Sequence, residues 1–439
     1  MLLDGATLTC AQVAAGGPVS IGSLDRAGAA WRTAQSLAGP VYGQSTGVGA
    51  NKDTAVEQGG LDLLRSHAGG AGPLVSEARA RAMLVVRLNQ LLAGGSGVNP
   101  ALLPVLAEAV NGGFTPPVRT YGAIGTGDLT ALATTALCLL GEREWRGPGG
   151  ASGPGPRFAL SSGDALPFIS CGAATLADAA LAVHGLRTLM ESAVTVAARS
   201  FTAVGASAEP LAPAVHEARP HRGQAEVAVR LRGMLTAEEA VRVQDPYGYR
   251  AFAQVHGAAM DGLERAERVV EVDLNAATEN PLFHGELAWH NGNFHAAPVA
   301  LALDALRAAL VPTAQLSAAR LATLMEPAYT GLLPFLAGSQ GRSGAMILEY
   351  VAQDALAELR LLSAPAAGGT AVISRGTEDH ASFATQAARA ALRCLEPLEI
   401  VLACELVAAR RALSQRGSAG EPDRPLDADL DEARRELSG

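Results

Sequence analysis

Apolar residues recur through most of this chain at the spacing of a helix. Straight after Asp128, the residues Leu129, Leu132, Ala133, Ala136, Leu139 and Leu140 fall on one helical face, and Asp128 is read as the N-cap. Similar spacing predicts helices around Leu8 to Val13, from Leu24 to Leu37, from Ser76 to Leu92, and from Met346 through Ile347, Tyr350, Val351 and Leu356 to Leu359. Thr236-Ala237-Glu238-Glu239 reads as a capping box opening another. Residues 147 to 164 are rich in Gly, Pro and Ser and read as loop. From about residue 173 one long helical pattern follows another, with the apolar stripes a bundle needs. The expected fold is mainly α, divided into an N-terminal region (1–172), a central helical bundle (173–413) and a short C-terminal segment (414–439).

Composition narrows this picture. The 439 residues are 49% hydrophobic and 18% charged, enough for a large core. A net charge of −9 without a basic cluster argues against nucleic acid or an anionic membrane as partner. Even the strongly apolar stretch Leu395 to Leu413 is interrupted by Glu396, Glu399, Glu405 and two arginines, so no spanning segment is read and a cytoplasmic location is expected. Cys10, Cys138, Cys171, Cys394 and Cys404 are odd in number and scattered, as buried reduced thiols are. No Cys-x-x-Cys pair suggests zinc, and the irregular spacing of His284, His290 and His295 does not suggest a metal, so no metal site is expected.

Candidate chemistry concentrates in a few stretches. In Tyr121-Gly122-Ala123-Ile124-Gly125-Thr126-Gly127-Asp128 the glycines let the backbone fold back tightly at a helix start. Val41 to Lys52 is also glycine-rich, but its Gly and Lys spacing does not fit a phosphate loop. Cys171 has no assigned basic partner, which favours packing over nucleophilic chemistry. Gln244-Asp245-Pro246-Tyr247-Gly248-Tyr249-Arg250 offers an arginine whose planar donors match a carboxylate.

Taken together these stretches resemble the histidine and phenylalanine ammonia-lyase family. The likeness extends over essentially the whole chain, through Tyr42-Gly43 to Gly49, Ser66-His67-Ala68-Gly69, Gly95-Ser96-Gly97, Gly125-Thr126-Gly127-Asp128-Leu129, Gln244 to Arg250, Asn275 to Pro281, Gly292-Asn293-Phe294-His295 and Thr377-Glu378-Asp379-His380. It implies an ammonia-lyase, fumarase/aspartase-like fold, homotetramers whose sites combine three chains, and an electrophilic methylidene-imidazolone (MIO) group made from an Ala-Ser-Gly tripeptide without added cofactor. It implies further that Tyr42 is a base on a lid and that Tyr247 lies by the reacting carbon. His67 and Glu378 would meet the substrate side chain, Arg250 with Gln244 its carboxylate end, and Phe294 would line the pocket.

The sequence departs from the family pattern in three places. The tripeptide is Gly125-Thr126-Gly127, and dehydration of Thr126 would leave a methyl on the carbon that the substrate must attack. Ser170 stands where the family has an asparagine against the electrophile. The helix that precedes the family's closing segment is missing, leaving a polar connector from Ser414 to Pro422 and predicting a more open or differently covered pocket.

The first reading is therefore a carbon-nitrogen lyase acting on histidine or a related amino acid, with its electrophile made from Gly125-Thr126-Gly127. The alternative is a MIO-less enzyme of the same fold, using tyrosine acid-base chemistry for elimination, addition or cyclisation of a modified substrate in specialised metabolism. An inactive homologue serving as a scaffold ranks last, because Tyr42, Tyr247, Arg250 and Glu378 are retained together.

Overall fold

The computed structural model describes residues 1–56, 60–235, 241–417 and 420–438. The capping box expected at Thr236 to Glu239 lies outside the described residues. The rest is mainly helical, with strands only in four two-stranded pairs among the described residues.

Local signals set the helix starts. Thr9 caps Cys10–Ala15 by accepting from the Gln12 backbone, while the Gln12 side chain accepts from the Thr9 N–H. Ser76 caps Glu77–Ala93 through the Arg79 N–H. That helix is buried on every side from Ala82 to Leu92, as a helix without a polar face must be. Its buried Asn89 and Arg87 are engaged: Asn89 donates to the Leu274 carbonyl and accepts from the Gly5 N–H, and Arg87 pairs with Glu279.

The compact units do not follow the chain order expected from the sequence. One comprises Met1–Leu181, Glu267–Leu303 and Pro365–Arg389; the other comprises Ala182–Ala266, Asp304–Ala364 and Ala390–Gly439. In the first, the antiparallel pair Ala71–Leu74 with Arg119–Tyr121 leads directly into the glycine run, and the helix Leu129–Leu140 leads out of it. The hairpin Leu282–His284 with Leu287–Trp289, in register Phe283 to Ala288, presents the loops on either side of it.

In the second unit, Leu395–Ser414 packs against Ile347–Leu362 and Asp427–Ser438. Two stretches, Ser162–Val204 and Ala297–Leu324, are long and apolar enough to cross a membrane, with 83% and 50% of their apolar windows buried in the protein. Apolar length thus exists that the reading of Leu395 to Leu413 did not reveal, and burial within a bundle accounts for most of it in the first stretch.

Candidate active site

Within the first unit a cavity of about 310 Å³ is walled by six separate stretches of chain. Tyr42, Val48 and Gly49 come from the first loop, and Leu63 and His67 from the helix Gly60–His67. Thr126 and Leu129 come from the glycine run, with Leu166, Ile169 and Ser170 beside them. Asn280 to His295 and Thr377 to His380 complete it. Of the residues expected from sequence, Tyr42, His67, Thr126, Ser170, Phe294 and Glu378 therefore share one space.

The Tyr42 hydroxyl accepts a hydrogen bond from the Gly49 N–H at 2.8 Å. Gly49 has φ +55, and a Cβ there would lie 2.4 Å from Ser374 Oγ and 3.0 Å from Glu378 Oε1. Only glycine lets this loop approach Glu378 so closely. Ser374 fastens the loop by accepting from the Ala50 N–H at 2.9 Å. Both Ser374 and Arg375 are held at left-handed φ, 51 and 53, and the bridge between Ile373 and Glu378 closes the turn behind them. Glu378 thus sits on a fixed irregular turn, not at a helix N-terminus; the next helix begins at Ala384.

Burial pushes the Tyr42 phenol above its ordinary value, the Gly49 N–H offsets this in part, and Glu378 adds to the rise. The lowering that a tyrosine base needs does not come from these neighbours, because the charge that acts on the phenol is the Glu378 anion. His67 Nδ1 lies 2.9 Å from the Leu63 carbonyl, which can only accept, so Nδ1 carries the proton and Nε2 is the acceptor of the neutral ring.

Around the tripeptide, the Gly125 carbonyl accepts from Ser382 Oγ at 2.6 Å and from the Ala296 N–H at 3.3 Å. Gly125 has φ +84, and a Cβ there would lie 2.2 Å from Ser382 Oγ and 2.5 Å from the Ala384 nitrogen, so the family's alanine does not fit this backbone. Asp128 does not cap its own helix. Its carboxylate accepts from the Thr175 N–H at 2.7 Å and the Thr175 hydroxyl at 2.9 Å, at the start of Ala173–Val204, because burial leaves it no solvent and this second helix offers free donors.

Burial pushes the Asp128 carboxyl up to about 6, against the Thr175 hydrogen bonds that lower it, with Asp178 adding to the rise. Between 3.8 and about 6 the folded chain therefore holds more protons than the unfolded chain, and this group's contribution to stability falls as pH rises through that window. Asp128→Asn is expected to flatten the fall in Tm between pH 4 and 7, measured by calorimetry.

Behind Ser170, the buried Arg87 donates to the Phe168 carbonyl at 2.9 Å and to Glu279 Oε1 at 2.7 Å, joining the segment before Ser170 to the segment before Asn280. The Cys171 thiol is buried and pushed up to about 12, chiefly by burial, which makes it a packing residue and not a nucleophile.

Gln244, Tyr247 and Arg250 belong to the second unit and do not line this cavity. Arg250 lies over the Tyr247 ring at 4.4 Å, its buried Nε has no hydrogen-bond partner among the described residues, and Tyr247 is 69% exposed. Arg250 and Gln244 share a smaller pocket of about 220 Å³. His380, Asp379, Asn280 and His295 also line the cavity and were not expected there from the sequence, although each ends or adjoins a motif singled out above.

A sequence profile of the aromatic amino acid lyase family matches residues 15–435. The chain belongs to this family. Like other aromatic amino acid lyases it is a carbon-nitrogen lyase, and its similarity is to histidine ammonia-lyases. That of Geobacillus thermodenitrificans (strain NG80-2) is 37% identical over 400 residues, 86% of this chain and 79% of the relative. The crystal structure of histidine ammonia-lyase from Trypanosoma cruzi superposes with TM-score 0.90 at 28% identity, covering 99% of this chain and 92% of that one. Ergothionase from Treponema denticola shares the fold, with TM-score 0.90 at 23% identity over 100% of this chain and 98% of that one. The cavity brings Tyr42, Thr126 and Glu378 together.

Proposed function

We propose that this lyase eliminates the amine from histidine or a related amino acid with a polar or cationic side chain, in the cytoplasm. The observation that carries the reading is the convergence of Tyr42, His67, Thr126 and Glu378 on one cavity. Glu378 accepts from a protonated or neutral imidazole, and His67 Nε2 faces the same ligand as a second acceptor. Tyr42 takes the β-proton. Arg250, whose Nε has no partner among the described residues, and Tyr247 are assigned to the carboxylate end, contributed with Gln244 by a neighbouring copy in a homotetramer.

The tripeptide fits the family's self-formed group. Gly125 and Gly127 have φ +84 and +114, and the Gly125 carbonyl whose carbon must be attacked for ring closure is polarised by two donors. Thr126 carries the β-hydroxyl that must be lost. Such a group, once formed, supplies the electrophile that makes the amine a better leaving group, and the methyl left by Thr126 makes this one weaker than a serine-derived one.

The test is the intact mass of the purified protein together with ammonia release from histidine. The expected result is a mass lower by two waters, an ultraviolet band of a conjugated imidazolone, and turnover. An unmodified mass would transfer the assignment to acid-base elimination without that group, on a substrate with a better leaving group such as a quaternary amine.

A further inference from the structure

Two imidazoles from distant motifs meet in the cavity wall. His295 Nε2 and His380 Nδ1 are 2.9 Å apart. Their ring centroids are 5.1 Å apart with planes 30° from parallel, the arrangement of rings joined edge to edge through one N–H···N bond. One nitrogen on each ring is left over, His295 Nδ1 and His380 Nε2, and neither carries a hydrogen bond among the described residues.

Both histidine-bearing segments are anchored at the tripeptide. His295 immediately precedes Ala296, whose N–H donates to the Gly125 carbonyl, and His380 stands two residues before Ser382, whose hydroxyl donates to the same oxygen. Glu378, two residues before His380, lies against Gly49, whose N–H holds the Tyr42 hydroxyl. The segment Glu378 to Ser382 therefore runs from the lid tyrosine to the tripeptide with His380 midway.

We propose that His295 and His380 form a proton relay carrying the proton removed from the substrate's β-carbon to the departing amine. The inference rests on the lyase reading above. In the elimination the C–H bond breaks and its electron pair becomes the new C=C bond, while the C–N bond breaks and its pair stays on nitrogen. The proton taken by Tyr42 then has to reach that nitrogen. A neutral imidazole pair moves it without storing charge: a proton enters at one outer nitrogen, the shared proton crosses between the rings, and the proton on the other outer nitrogen leaves. Tyr42, His67, Glu378 and Asp379 are the other titratable groups facing this space, and Thr126 and Ser170 are neutral.

The experiment compares His295→Gln, His380→Gln, the double variant and His380→Ala with the parent, on whichever α-amino acid the parent deaminates, histidine being tried first. Each single glutamine variant is expected to lose about 10²-fold in kcat with little change in KM, within the range for a positioned acid-base group. The double variant is expected to lose no more than either single one, because a relay broken once is fully broken. Added imidazole is expected to restore part of the turnover of His380→Ala, and all variants are expected to show the same mass deficit as the parent relative to their own unmodified sequences. Variants with the parent's kcat, or losses that multiply in the double variant and ignore imidazole, would overturn the relay alone. A parent that releases no ammonia from any α-amino acid would overturn the lyase reading, and the relay with it.

Discussion

Tyr42→Phe is expected to lower kcat by about 10²- to 10⁴-fold, the range for removing an acid-base group, with little change in Tm. The phenol hydroxyl has a single described hydrogen bond, accepted from the Gly49 N–H at 2.8 Å, so its loss costs the fold little. The pH profile carries the stronger information. Burial and Glu378 both push the phenol above its ordinary value, so the resting group is protonated at neutral pH. If the phenolate is the base, kcat/KM rises with pH, and the limb lies above the ordinary phenol range. Glu378→Gln removes the anion that opposes the phenolate and is expected to move that limb to lower pH. The same variant loses affinity for a cationic side chain, so KM and the limb shift in one experiment but for separate reasons. A flat profile in the parent, or a Tyr42→Phe variant with unchanged kcat, would remove the tyrosine from the reaction.

The helices were legible because their apolar spacing is a local property. Glu77–Ala93, Leu129–Leu140 and Ile347–Leu362 all lie close to the ranges read from periodicity. The cavity was legible for a different reason: Tyr42, His67, Thr126 and Glu378 each sit in a short stretch that resembles a family motif. Partnerships across the chain were not legible. Asp128 reads as the cap of the helix that follows it, yet burial turns its carboxylate toward Thr175, 47 positions away. His295 and His380 are 85 positions apart, and neither motif announces the other. Single charges inside apolar helices, such as Arg87 and Glu405, look like interruptions until their partners are known. The units are likewise assembled from three stretches each, a consequence of long helices returning past one another that no composition shift marks.

Glu405→Ala is expected to destabilise the second unit by about 3–5 kcal/mol, the usual result of removing one partner of a buried ion pair. Glu405 and Arg320 are 0% and 1% exposed. Arg320 forks onto both carboxylate oxygens at 2.6 and 2.8 Å, and Ser200 and Ser317 each donate to that carboxylate at 2.6 Å. Alanine would leave a guanidinium and two hydroxyls buried without their acceptor. Urea unfolding should show a large drop in midpoint, or no folded protein. Arg320→Met with Glu405→Leu is expected to recover most of the loss, since apolar residues of similar volume replace a buried pair at little cost.

The recovered variant then separates stability from function. Arg320 Nη1 also donates to the Gly248 carbonyl at 3.0 Å, inside the turn that carries Tyr247 and Arg250. Its guanidinium lies 4.9 Å over the Phe252 ring, at the start of the next helix. A stable double variant has lost the donor that fixes this turn, so the Tyr247 and Arg250 pair is held less firmly. Its KM is expected to rise several-fold for a carboxylate-bearing substrate while kcat changes less, because orientation of the clamp is lost and the acid-base groups of the first unit are untouched. A double variant that regains both stability and the parent's KM would show that the buried pair serves packing alone.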